Sequence, residues 1–220
     1  MSNTRARRTG TGAVVTGALL AAVAMGGLPA EAAGQAPTVY VAKLVPLNTT
    51  VTGTAAAGTV RFSIRGDSLT IATDATGLPK NITHWQHFHG FKDGHDAACP
   101  DKSADANGDG IIDLIETEPA AGTTMVPFID DPVSMDVAHG TYPKASAGGA
   151  LHYREAVSLS ALQEAFGKAF EGQKLDLDTR VVFLHGVPSD TKLPASVASL
   201  GPIPAQVTLP IACGKITRAR

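Results

Sequence analysis

No stretch of this chain is apolar for long enough to make a convincing membrane span, and no surplus of basic residues exists to hold nucleic acid. The most apolar segment, Ala13 to Met25, is short and rich in alanine and glycine, well below the roughly 20 residues a bilayer-crossing helix needs. Lysine and arginine total 18 against 20 aspartates and glutamates, the wrong balance for a phosphate-binding surface. The chain also lacks a nucleophile elbow, a phosphate-cradling glycine loop, a paired-cysteine zinc motif, an internal repeat and a low-complexity tail. These absences turn attention away from nucleotides and nucleic acid and towards other ligands.

Cysteine is scarce as well: Cys99 and Cys213 are the only two. Their meaning depends on compartment. Arg5, Arg7 and Arg8 precede the apolar segment, and Ala30-Glu31-Ala32 follows as a small-residue cleavage site, the layout of an export signal over residues 1–32. A secreted or periplasmic location follows, where two cysteines pair by default. Residues 33–220 are then long enough for one domain with a sizeable core. Removing the signal leaves 15 basic and 19 acidic side chains.

Most of the periodicity is strand-like. Thr38 to Leu47, Gly58 to Arg65 and Ser68 to Thr76 read as strands, with Val60, Phe62 and Ile64 sharing one face and Gly66-Asp67 as a turn. Further strands are predicted at His84 to Gly90, Leu151 to Val157, Arg180 to Gly186 and Gln206 to Cys213. Short strands punctuated by glycine and proline imply an all-β antiparallel sandwich or barrel. One helix interrupts them, with Ser160 and Gln163 as a capping box, Leu162, Phe166 and Phe170 on one face, and Gly172 as its stop.

The negative charge is concentrated. Asp93 to Asp136 holds eleven carboxylates and a single base, Lys102, and such a segment repels itself unless cations neutralise it. Within it, Asp105, Asn107, Asp109, Ile111, Asp113 and Glu116 occupy positions 1, 3, 5, 7, 9 and 12 of a loop whose sixth residue is Gly110. That is the ligand order of an EF-hand calcium loop, with Ile111 giving its carbonyl and Glu116 both carboxylate oxygens. The flanks carry no helical pair: Pro100 lies upstream, and Pro119 is expected to stop a helix almost at once. The reading is a calcium clip inserted at about residues 100–118, opposed by the plainer account of an acidic surface turn.

Four of seven histidines lie between His84 and His95. On a strand, His87 and His89 share a face while Phe88 points to the other, and clustered imidazoles suit copper or zinc. The run Gln86-His87-Phe88-His89-Gly90-Phe91-Lys92-Asp93, with Cys99 ten residues beyond His89, Val181-Val182-Phe183-Leu184-His185 further on, and Ala212-Cys213-Gly214 near the end, resembles the copper/zinc superoxide dismutase family. The resemblance implies an eight-stranded Greek-key β-barrel, copper at His87, His89 and His185, and a Cys99–Cys213 disulfide tying the acidic segment to the last strand. His139 is the added nitrogen considered for a fourth ligand, ahead of His95 and His152.

The chain departs from that family where its zinc and its substrate belong. Asp105 stands where a bridging histidine is expected, so zinc is not expected. Pro210 stands where the family carries its active-site arginine. The sequence therefore reads as an exported metal-binding protein, with calcium in the acidic loop and copper at the histidines. Two alternatives stay open: a copper-dependent superoxide dismutase, and a calcium-stabilised structural or adhesive module without a transition metal. Metal ions are the expected partners, and no protein partner is legible.

Overall fold

A computed structural model describes residues 36–220, and the export-signal reading lies outside them. Eight strands follow one another as β1 (Thr38–Pro46), β2 (Ala57–Arg65), β3 (Ser68–Thr76), β4 (Gln86–Gly90), β5 (Thr123–Pro127), β6 (Leu151–Ser158), β7 (Val181–His185) and β8 (Pro210–Arg218). Their order in space is β5-β4-β7-β8-β1-β2-β3-β6, and every pairing is antiparallel. The alternating residues dictate this. In β2, Val60 and Phe62 are fully buried, while Leu69, Ile71 and Ala75 do the same in β3. The tight β2–β3 hairpin turns at Gly66, whose φ of 56° suits glycine. The all-β expectation agrees with this topology.

Strands β5 and β6 are the two ends of the curled sheet. Tyr153 Oη donates across that gap to the Ile129 carbonyl at 2.8 Å. Phe62 packs edge-on against Phe88 and Phe128, and Phe166 joins Phe88 from the helix α3 (Leu159–Ala169). Ser158 caps that helix by accepting from Ala161 N–H, so the start lies two residues ahead of the expected Ser160 box. Leu162 and Phe166 are fully buried, as the apolar stripe requires.

Four segments differ from expectation. Strand β5, only five residues long, has too little alternation to stand out from its loop. The C-terminal strand starts at Pro210, because Pro204 instead leads into the short helix α4 (Ala205–Thr208). A further one-turn helix, α1, covers Thr49–Thr52. The helix α2 (Leu114–Ala121) runs through Pro119, which the sequence reading takes as an immediate stop. Pro119 forfeits one backbone donor, yet its ring is exposed, and the capping box of Asp113 and Glu116 secures the helix start.

Beneath the open end of β4 lies Arg180, fully buried. Its guanidinium donates to the carbonyls of Leu175, Phe91 and Lys174 and to Gln173 Oε1, and its carbon lies 5.7 Å from the Phe166 ring centroid. Four acceptors and an aromatic face replace a carboxylate partner. Gly90 leaves room for it: a β-carbon there would lie 2.6 Å from Arg180 Cδ. Gly90→Ala is therefore expected to cost about 1–3 kcal/mol through overpacking, read as a fall in the urea midpoint. An unchanged midpoint would show that Arg180 can move aside freely.

Candidate metal centre

Strands β4 and β7 are adjacent, with His87 opposite Phe183 and Gln86 opposite Leu184. Side-chain alternation puts His87 and His89 on one face of β4, and the end of β7 brings His185 alongside. A β-bulge falls between Phe88 and His89 on the β5 side, and another between Leu184 and His185 on the β8 side. Both bulges lie at the histidines, where such irregularities re-aim side chains. The result is a buried trio whose donor atoms all lie within 4.8 Å of one another. The His87 ring centroid lies 4.7 Å from that of His89 and 4.6 Å from that of His185.

The rings are held by backbone carbonyls. His185 Nδ1 donates to Thr208 O at 2.7 Å and His89 Nδ1 to Gly122 O at 3.2 Å, which leaves the Nε2 lone pair of each ring facing the trio. His89 Nε2 also lies 3.3 Å from Thr124 Oγ1. His87 Nδ1 and His185 Nε2 are buried with no hydrogen-bond partner. Burial depresses all three basicities: His89 to about 3, His185 to about 4, and His87 well below the usual imidazole value, with its two neighbours adding repulsion to the burial effect. Three neutral imidazoles with their lone pairs converging form a nitrogen donor set for a borderline or soft cation.

Two residues outside the predicted ligand set position it. His84 is fully buried, with Nδ1 2.9 Å from His185 O and Nε2 2.9 Å from Pro79 O, so that its single N–H as a neutral ring donates to one of these carbonyls. Gly122, with φ of 71°, lets its backbone approach Gly90 closely and presents its carbonyl to His89. The local signal for His84 is its place in the same histidine run. Gly122 gives none, because its role depends on a tertiary approach.

A cavity of about 20 Å³ lies against His87 and His185, lined also by Trp85, Leu114, Thr124, Val137, Leu200 and Thr208. That is room for about one water molecule. No lining side chain is charged. Trp85 stacks on Tyr142 at 5.1 Å beside this cavity. His139 is not in the trio: it is highly exposed and bonds Asp136 Oδ1 through Nδ1 at 3.0 Å. His152 likewise pairs with Asp74, and His95 pairs with Asp93 while stacking on Phe91. Pro210 lies opposite His185 in the β7–β8 ladder.

The acidic loop is ordered by its own backbone. Asp105 accepts from the N–H groups of Gly108, Asp109 and Gly110, Asn107 Oδ1 from Asp109, and Asp109 Oδ1 from Ile111. Gly110 takes φ of 82° at the sharp turn. Glu116 Oε1 accepts from Ala106 and Asn107, and its Oε2 from Asp113 N–H. Among the described residues, the histidine trio alone brings three candidate ligand atoms within 4.8 Å; the loop carboxylates do not converge that closely. No helix enters the loop, only a 3-10 turn at Lys102–Ala104, while α2 leaves it.

The loop is docked on three neighbours. Asn48, itself at φ of 51°, bonds both Ile112 N–H and Ile112 O and reaches Pro210 O. Asp113 Oδ2 accepts from Ala198 N–H at 2.7 Å, and Asp109 Oδ2 accepts from Ser196 Oγ. The disulfide Cys99–Cys213, with α-carbons 5.7 Å apart, fastens its upstream flank to β8.

No family model matches this chain, and no curated protein does. Among solved structures, a Cu/Zn superoxide dismutase from Brucella abortus is similar over 81% of this chain and 99% of that one, at 20% identity and a TM-score of 0.40.

Proposed function

We propose that this chain is an exported metal-binding protein on a superoxide-dismutase-like scaffold, in which His87, His89 and His185 hold copper. The observation that carries this reading is the pair of buried, unpartnered imidazole nitrogens, His87 Nδ1 and His185 Nε2. A buried polar atom without a partner costs about 1–3 kcal/mol, and a cation among the three lone pairs removes that cost. Copper when bound supplies a one-electron couple; the chain supplies three neutral donors, a fixed ring geometry and near-exclusion of water. Elemental analysis of the exported protein purified without chelators should give about one copper per chain, and His87→Ala combined with His185→Ala should abolish it. Copper retained by that double variant, or none in the parent after copper loading, overturns the reading. With no charged side chain lining the cavity, guidance of an anion such as superoxide has no local source.

The acidic loop is the second element of the proposal, as a calcium clip that rigidifies the segment between Cys99 and β5. Its support is the ligand order with the turn at Gly110; the capping box accounts for Asp113 and Glu116 by themselves. To ligate with both oxygens, Glu116 has to exchange its bonds from Ala106, Asn107 and Asp113 N–H for the ion. Calcium at a hundredfold excess over its Kd should add about 2.7 kcal/mol of stability. Asp105→Ala should remove that gain, and a parent protein indifferent to calcium rules the clip out.

A further inference from the structure

We propose that Leu114 and Leu200 are a gate over the histidine pocket and that Asp113 is its latch. This inference goes beyond copper binding and concerns the pocket whatever ion it takes. Leu200 is 48% exposed although it lines the cavity against His87 and His185; one side of it faces solvent and the other faces the histidine pocket. Leu114, half-buried, closes the cavity from the α2 side.

These two leucines come from segments far apart in sequence, and one residue joins them. Asp113 caps α2 through Oδ1, accepting from Ile115 and Glu116 N–H, which fixes Leu114 as the first helical residue. Its other oxygen accepts from Ala198 N–H, two residues before Leu200. Asp113 is itself 3% exposed, so the bond is sheltered from competing water. The strap carrying Leu200 has one further tether to the acidic loop, Ser196 to Asp109, and Val197 as a buried anchor. After Leu200 it turns through Gly201 and back to Ile203, whose N–H bonds Leu200 O. A short strap with so few sheltered bonds opens at a lower free energy than the β4–β7 ladder beneath it.

The pocket beneath has space for about one water, and the three histidines are each at most 3% exposed. An ion or reagent reaching the imidazoles has to displace the gate, so the gate sets rates of entry and exit while the trio sets affinity. His84 is an internal control, because it is equally buried, outside the cavity lining, with both ring nitrogens against carbonyl oxygens.

The test is carbethoxylation of the metal-free full chain by diethyl pyrocarbonate at neutral pH, mapped by peptide mass spectrometry. Exposed His139 and His152 report reagent activity. Leu200→Ala should speed modification of His87 and His185 by about tenfold, with His84 unchanged, as local opening requires. Asp113→Asn should do the same, because asparagine still caps α2 while its amide cannot accept from Ala198 N–H. Unchanged rates at His87 and His185 in both variants overturn the gate. Rates that rise together with His84 overturn it too, by showing global opening. Copper binding plays no part in this readout, so a failure of the copper reading and a failure of the gate are separate results.

Discussion

The metal-free protein should lose stability steeply as pH falls below about 6.5, well before its carboxylates titrate. In the unfolded chain each histidine takes up a proton near pH 6.5. In the folded chain burial holds His185 to about 4, His89 to about 3 and His87 well below the ordinary value. Between those limits the unfolded state binds protons that the native state refuses. Stability from these groups is therefore fully present above pH 6.5 and is lost as pH drops towards 4. Each contributes about 1.4 kcal/mol per pH unit once the pH is well below 6.5, so the trio together gives about 4 kcal/mol per unit. His84, also pushed down by burial, adds in the same direction.

A domain with the usual 5–15 kcal/mol of stability cannot absorb that slope for long, so unfolding is expected near pH 5. Trp85, the single tryptophan and a wall of the site, reports the transition by fluorescence alongside circular dichroism. Copper occupies the lone pairs that protons need, so loading should move the midpoint to lower pH. His89→Gln removes one of the four depressed histidines and should flatten the slope by about a quarter to a third. An acid midpoint below pH 4 in the metal-free parent, unmoved by that substitution, would contradict the site as described.

Local alternation carried most of the strands and the β2–β3 hairpin, the two cysteines implied their own pairing, and the family resemblance joined His185 to His87 and His89. Ser68–Thr76 agrees end to end with its expected strand. The cover of the site was not legible. Leu114, Leu200 and Val137 come from three segments far apart in sequence, and their meeting is a property of tertiary packing. Pro119 misled for a related reason: a capping box and an exposed ring outweigh one missing hydrogen bond. The acidic loop shows the limit of motif reading most clearly. Asp113 and Glu116 satisfy a calcium pattern and a helix cap with the same atoms, and the cap is the arrangement present. His139 had no motif spacing behind it, and its exposed ring pairs with Asp136 three residues earlier.

Removing the disulfide should produce the other large effect, and it should fall on the unfolded chain more than on the site. Cys99 and Cys213 are 114 residues apart, so their link restricts a long loop of the denatured ensemble, worth about 5 kcal/mol in the chain-entropy picture. The native contacts around it do not depend on the bond alone. Ala97 N–H bonds Thr179 O and Ala98 N–H bonds Ala120 O, holding the Cys99 segment in place. Cys213 sits in β8 between its partners Val45 and Phe183. The three clustered histidines are carried by β4 and β7, whose ladder the disulfide does not touch. Cys99→Ala with Cys213→Ala should therefore lower the free energy of unfolding in urea by about 5 kcal/mol. The denaturant slope should steepen, because the unlinked chain expands further. Copper stoichiometry at pH 7 should stay that of the parent. Loss of copper from a variant that remains folded would instead make the bond a positioning element of the site, acting through Phe183, which lies 4.7 Å from the His89 ring.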